Sequence, residues 1–255
     1  MFPLKATKTL NCDRVSHGFF GRLQPEDFGF APPHPFNGDL VVGPETNKQI
    51  GENREKTADI LGARHLIFPQ QCHGTDVLFV DNATTNFPPA DGFVTNQVGL
   101  GLGIVTADCV PLLFYGPSAL NPLIGAVHGG WRGLFNGIIQ KTVDIMINHG
   151  AKQSDIQVAI GPCIHQDAYQ VDQDFYKNFM QTHPQAESCF ITKNNHYYFD
   201  LIAFAIQQLK LADIHHIESI PHCTHNYQED GYPYYSHRRD GLNNQGRNIS
   251  AIALL

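Results

Sequence analysis

Short apolar runs cut by glycine and proline dominate the middle of this chain, and they limit what it can fold into. Six such runs stand between His65 and Val127: His65–Pro69, Val77–Val80, Gly92–Thr95, Gly103–Thr106, Leu112–Tyr115 and Leu123–Val127. Each is too short for a helix and rich in Val, Ile, Leu or Phe, so each reads as a strand. The pattern then changes period. From Trp131 to His149, Leu134, Ile138, Val143 and Met146 recur at helical spacing, with Gly150 where a C-terminal cap belongs. Ile156–Ile160 reads as a buried strand, Asp174–Thr182 and Asp200–Leu211 as helices, and Ile214–Ile220 and Ile249–Leu254 as late strands. Asp200 is a good N-cap for the second of these helices. The alternation predicts an α/β (α+β) chain with mixed β-sheets flanked by helices. Two turn-rich stretches, Pro25–Pro44 and Asn82–Gly92, interrupt it. The first, with Phe28, Phe30 and Phe36 to bury, reads as an irregular lobe rather than a linker, so one domain over 1–255 is expected.

Composition removes several classes of function. The charged fraction is 16%, below the roughly 25% usual for globular proteins, which argues against a disordered chain. Seventeen Lys and Arg against 24 Asp and Glu give a formal charge of −7, an unsuitable balance for holding a phosphate backbone. No run approaches the roughly 18 apolar residues of a membrane span, and Met1–Leu10 is too polar for a signal-peptide core. A cytoplasmic protein without nucleic-acid or membrane partners is expected. The six cysteines (12, 72, 109, 163, 189 and 223) contain no C-x-x-C pair, which fits reduced thiols rather than a disulfide framework.

Three apolar runs lead into side chains able to bind a metal. They are Gln71-Cys72-His73-Gly74, Ala107-Asp108-Cys109-Val110 and His128-Gly129-Gly130-Trp131-Arg132-Gly133. If their ends converge, His73, Cys109 and His128 supply two imidazoles and a thiolate, a set suited to Zn²⁺ with a fourth position open. The same donors also suit copper. The bland alternative is a small buried cysteine and two hydrogen-bonded histidines. Asp108 either orients a ligand or caps a turn. The His128–Gly133 run also reads as a glycine-led helix start, with Arg132 in its first turn to grip phosphate or carboxylate. A further basic cluster, Ser236-His237-Arg238-Arg239-Asp240-Gly241 with Gly246-Arg247 beyond it, suits an anion. Its alternative is a solvated loop with an Arg–Asp pair. Gly99, Gly101 and Gly103 precede a strand rather than open a helix, so they make a poor nucleotide loop. His222-Cys223-Thr224-His225 reads as a strand-end turn. The P-loop, zincin and nucleophile-elbow signatures are absent, as is the deaminase H-x-E with P-C-x-x-C pattern.

Taken in order, QCHGTDV, ADCVPLLF, AVHGGWRGL, AIGPCI and SHRRDG with GR resemble the YfiH family, once described as multicopper polyphenol oxidases or laccases. The resemblance runs from Ser16 to Arg247. It implies a single α/β domain related to a bacterial deamidase toxin. It also implies a purine nucleoside phosphorylase acting on adenosine, inosine and methylthioadenosine, with adenosine deaminase activity. The family's metal ligands fall on His73, Cys109 and His128, with zinc expected and copper the alternative. Asn53-Arg54 and Arg238-Arg239 match family positions, and with Arg132 they are the expected contacts to substrate and phosphate. The chain departs from the usual pattern at Phe36-Asn37 and after Cys163, where His165–Tyr169 stands in place of Cys-Tyr.

Overall fold

In β-structure a side chain every second residue faces the same way, so a strand apolar at every position needs cover on both faces. The segment Val110–Gly116 is such a strand, buried throughout. In the computed structural model, Leu112 and Phe114 join one core cluster while Leu113 and Tyr115 join another. The structure describes residues 5–6, 9–21, 44–83, 87–118, 120–227, 234–241 and 246–255. Phe28, Phe30, Phe36 and Asn37 of the expected irregular lobe lie outside these residues.

The strands are β1 (Val15–Phe20), β2 (His65–Ile67), β3 (Val77–Phe79), β4 (Gly92–Thr95), β5 (Leu100–Thr106), β6 (Val110–Gly116) and β7 (Leu123–Gly129). They continue with β8 (Gln157–Ile160), β9 (Gln170–Val171), β10 (Phe190–Lys193), β11 (His196–Phe199), β12 (His216–Ser219) and β13 (Asn248–Leu254). The helices are α1 (Pro44–Leu61), α2 (Trp131–Phe135), α3 (Ile138–Asn148), α4 (Gln173–Thr182), α5 (Leu201–Leu211) and α6 (His237–Asp240). A six-stranded mixed sheet has the order β12-β8-β6-β7-β4-β3, and a four-stranded one β1-β13-β5-β2. A small antiparallel sheet, β10-β11-β9, stands beside them.

The buried clusters define the layers. Leu134, Ile138, Val143, Met146 and Phe204 of α2, α3 and α5 pack on one face of the six-stranded sheet. The other face, with Phe93, Ile124 and Ala126, meets Leu102, Ile104, Ile252 and Leu254 of the four-stranded sheet. The outer face of that second sheet, with Val105, Ile249 and Ala251, is covered by Leu61 of α1. The order helix, sheet, sheet, helix accounts for the apolar runs: each central strand lies between two cores. No described helix is long and apolar enough to cross a membrane.

Local chemistry sets the boundaries. The single helix expected from Trp131 to His149 is two helices, because Gly137 adopts φ 89° and starts α3 afresh. The expected cap at Gly150 forms a Schellman motif. Gly150 N–H donates to Ile147 O (2.9 Å) and Ala151 N–H to Met146 O (2.9 Å). Asp200 caps α5 by accepting from Ala203 N–H at 2.8 Å. The Gly-Leu-Gly-Leu-Gly run is the start of β5 and serves packing. A Cβ on Gly103 would lie 2.4 Å from the Phe68 ring, so the glycine makes room for that ring against the strand.

His17 on β1 is buried, and its Nε2 accepts a hydrogen bond from Ala6 N–H at 2.8 Å. Burial, aided by Lys5 and opposed by Glu218, pushes this imidazole down to about 4. The unfolded chain therefore binds the proton first on acidification, and the stability tied to neutral His17 is lost between about pH 6.5 and pH 4. We predict that this site costs about 3 kcal/mol over that interval. Urea unfolding of wild type and His17→Gln at pH 7 and pH 4.5 measures it; equal pH dependence of the two proteins would contradict it.

Candidate metal centre

Three loops at the ends of β-strands bring His73, Cys109 and His128 together. Their ligand-type atoms all lie within 4.8 Å of one another, the one such cluster among the described residues. The His73 and His128 rings meet edge to face with centroids 4.6 Å apart, and Cys109 Sγ lies 3.9 Å from His73 Nε2. His128 is buried at the end of β7, whereas His73 and Cys109 are part-exposed.

Asp91, just before β4, builds the cluster, and nothing in the sequence reading pointed to it. Its carboxylate is fully buried. Oδ1 accepts from His73 N–H (2.9 Å) and from His128 Nδ1 (2.7 Å). Oδ2 accepts from Cys72 N–H (3.1 Å), the Cys72 thiol (3.1 Å) and Gly74 N–H (2.6 Å). Three successive N–H groups converging on one carboxylate form an anion nest, which accounts for the left-handed backbone of His73 at φ 58°. On the other side, Gln71 clamps the loop to β5: its Nε2 donates to Val105 O and its Oε1 accepts from Val105 N–H, both at 2.8 Å. With Nδ1 committed to Asp91, His128 turns Nε2 toward the other two side chains. A carboxylate–histidine pair of this kind fixes the tautomer of a metal ligand.

Glycines set the approach distances. A Cβ on Gly130 would stand 3.1 Å from His73, 3.4 Å from His128 and 3.6 Å from Cys109 Sγ, so this glycine floors the cluster. A Cβ on Gly133 would stand 2.7 Å from the Gly74 carbonyl, where α2 rides on the His73 loop. Two imidazoles and a sulfur with a locked tautomer fit a zinc-type ion with room for a further ligand.

Electrostatics favour an ion pair at the cluster. Burial raises the Cys109 thiol, but His128 and His73 beside it outweigh this and bring it down to about 6. Burial lowers His128, while the Cys109 and Asp91 charges raise it to about 9. Burial opposes ionisation of Asp91 as well, yet His128 and the surrounding donors hold its carboxyl well below the usual range.

Asp108 caps and ties rather than lining the cluster. At φ 90°, its Oδ1 accepts from the Thr224 hydroxyl and its Oδ2 from Arg238 N–H, each at 2.7 Å. The Arg238 guanidinium reaches Gln170 O (2.9 Å) and lies 5.2 Å from the Tyr169 ring centre. Arg239 pairs with Asp240 through Nε (2.7 Å) and Nη2 (2.8 Å) and donates to the carbonyls of Thr224 and Tyr234, so its donors are taken up within the loop. Arg132 is exposed and stacks on Trp131 at 4.7 Å, and α2 is only five residues long. Asn53 is buried on α1, and Arg54 lies 4.5 Å over Phe68. Arg247 is half-buried within the fields of Cys109 and Asp108. Around the expected turn at 222–225, His222 bonds the Tyr234 hydroxyl while His225 pairs with Asn226.

The family model described as multi-copper polyphenol oxidoreductase laccase matches residues 19–255. A purine nucleoside phosphorylase of Rickettsia conorii is 36% identical over 179 residues, covering 69% of this chain and 73% of that one. The purine nucleoside phosphorylase YfiH of Shigella flexneri is 31% identical over 210 residues, covering 81% of each. The crystal structure of Bacillus licheniformis YfiH superposes with a TM-score of 0.78 at 30% identity, over 98% of this chain and 100% of that one.

In metal-free protein, the fraction of Cys109 alkylated by iodoacetamide, followed by peptide mass spectrometry, is predicted to rise through a midpoint near pH 6. Above that pH the thiolate is the stable form. Asp91→Asn removes the charge that sustains protonated His128, so the midpoint moves up toward the ordinary thiol value of about 8.5. A midpoint of about 8.5 in wild type would contradict the ion pair.

Proposed function

The chain belongs to the family described as multi-copper polyphenol oxidoreductase laccase, that of the YfiH proteins, and from this premise we propose that it is a purine nucleoside phosphorylase. Its substrates are adenosine, inosine and S-methyl-5′-thioadenosine. Phosphate attacks C1′ as the C1′–N9 bond breaks, giving ribose 1-phosphate or its methylthio counterpart and the free base. The same centre also deaminates adenosine. The observation that carries this reading is the His73, Cys109 and His128 cluster, locked by Asp91 in a chain whose relatives bear the phosphorylase name.

The reaction makes two demands. Positive charge grows on the sugar while negative charge grows on the departing purine, and a multiply charged nucleophile must be held in line. Arginines meet the second demand: Arg238, whose backbone N–H is anchored on Asp108, together with Arg132, Arg54 and Arg247. Asn53, buried on α1, and Arg239, fixed within its loop, are the further substrate-binding positions. His73, Cys109 and His128 would hold the metal, zinc first and copper as the alternative. An ion bound there would supply Lewis acidity, of use both for developing negative charge and for water in deamination. Asp91 keeps His128 in the ligating tautomer and carries no proton itself. A multicopper oxidase needs several ligand clusters, whereas the described residues hold one.

A second reading draws on a specific observation. Asp91, His128 and Cys109 are arranged as a thiol triad, and the thiol is held at about 6. A metal-free enzyme with Cys109 as nucleophile and His128 as its base would use the same side chains.

Chromatography of reactions with adenosine separates these readings. Adenine formed only when phosphate is present supports phosphorolysis, inosine formed without phosphate supports deamination, and nucleosides unchanged in both conditions refute the proposal. Cys109→Ala is expected to lose bound metal and both activities. Full turnover by that variant would remove Cys109 from the mechanism, and activity of wild type freed of metal would favour the thiol enzyme.

A further inference from the structure

A cavity of about 990 Å³ opens beside the cluster, between α2, the small three-stranded sheet and the Arg238 loop. It shares a wall with the centre. Trp131 lines the cavity and directly follows Gly130, the residue that floors the three ligand-type side chains. Arg238 lines it too, and its N–H is fixed by Asp108, the neighbour of Cys109. Resting on the phosphorylase reading above, we propose that this cavity is the purine subsite, with Trp131 and Tyr169 as its aromatic walls and the amides of Gln170 and Asn195 facing the edge of the base.

The chemistry of the lining selects the occupant. Trp131, Tyr169 and Phe175 supply flat apolar surface, and bases of every kind stack on such rings. One wall already carries a planar group: the Arg238 guanidinium lies 5.2 Å from the Tyr169 ring centre. A guanidinium there demonstrates that a flat π-system has room, and a bound purine would exchange with it or stack beneath it. Amide side chains offer the donors and acceptors that ring nitrogens and an exocyclic amino or keto group require.

The charge within the cavity is balanced. The lining sets one carboxylate, Asp172, against one guanidinium, Arg238. Asp172 is itself engaged in capping α4, accepting from Phe175 N–H at 2.7 Å. A balanced, aromatic cavity suits a neutral ring that lies next to the arginines holding the phosphate. The volume falls at the upper end of the roughly 300–1,000 Å³ usual for small-molecule pockets, enough for a nucleoside with a 5′ substituent. The sugar then lies at the boundary between the cavity and the cluster, with C1′ facing the phosphate side.

Trp131 is the only tryptophan in the chain, so the emission comes from the cavity wall. The full-length protein is titrated with adenosine in phosphate-free buffer, exciting indole where purines do not absorb. A saturable change in emission is expected. Thr192→Phe, on the exposed edge strand β10 of the cavity wall, narrows the space and is expected to weaken the adenosine dissociation constant by roughly tenfold or more, with bound metal unchanged. Unaltered emission, or an unaltered dissociation constant in the variant, overturns the subsite. If adenosine is phosphorolysed while either holds, the activity stands and the purine lies elsewhere. If emission and affinity respond as expected but no nucleoside is turned over, the cavity stands and the phosphorylase reading falls.

Discussion

The carboxylate of Asp91 is buried without contact to solvent, and ionised in that position it is tolerable only because five donors surround it. Those donors belong to two distant stretches of chain, the Cys72–Gly74 loop and the end of β7. One side chain therefore fixes the backbone under His73 and the ring of His128 together. The left-handed backbone at His73 is compensated by its hydrogen bond to the same carboxylate. Cys109 enters from a third direction, on the turn between β5 and β6, whose hydrogen-bonded sheets allow little movement.

The same economy extends to the backbone around the centre. Gly129 packs where a Cβ would lie 2.8 Å from Val110 O, Gly130 floors the cluster, and Gly133 admits the Gly74 carbonyl. The glycines of the His-Gly-Gly-Trp-Arg-Gly run thus act through the space they leave. Asp108 ties this region to the chain's end: its carboxylate and carbonyl hold Thr224, Arg238 and Ile164 in one network. The aromatic cavity and the arginine loop are held against the centre by that residue.

Much of this was readable from the chain. The central strands announced themselves because each must be covered on both faces, and the Asp200 and Gly150 caps follow from local chemistry. Other elements gave weaker signals. The strand β1 mixes Ser16 and His17 with phenylalanines and gains its meaning from pairing with β13, over two hundred residues away in sequence. In the hairpin β10–β11, the turn residues Asn194 and Asn195 both have positive φ, a signal that was present in the sequence as an Asn-Asn pair but went unread. Gly137 looked like an ordinary residue within a helical pattern and proved to be a break. At the centre, residue type and family resemblance led to His73, Cys109 and His128. Asp91 escaped because its partners lie 17 to 37 positions away and no spacing rule connects them. Arg239 looked available for an anion only because its bonds to Asp240 and to backbone carbonyls depend on the folded loop.

In the proposed function, two imidazoles and one sulfur would share a single ion. X-ray absorption of the zinc-loaded protein at the metal edge measures that donor set directly. One sulfur scatterer at about 2.3 Å and two imidazoles at about 2.0–2.1 Å are expected, with a light atom completing the shell. A shell without sulfur, or one with two, would contradict it.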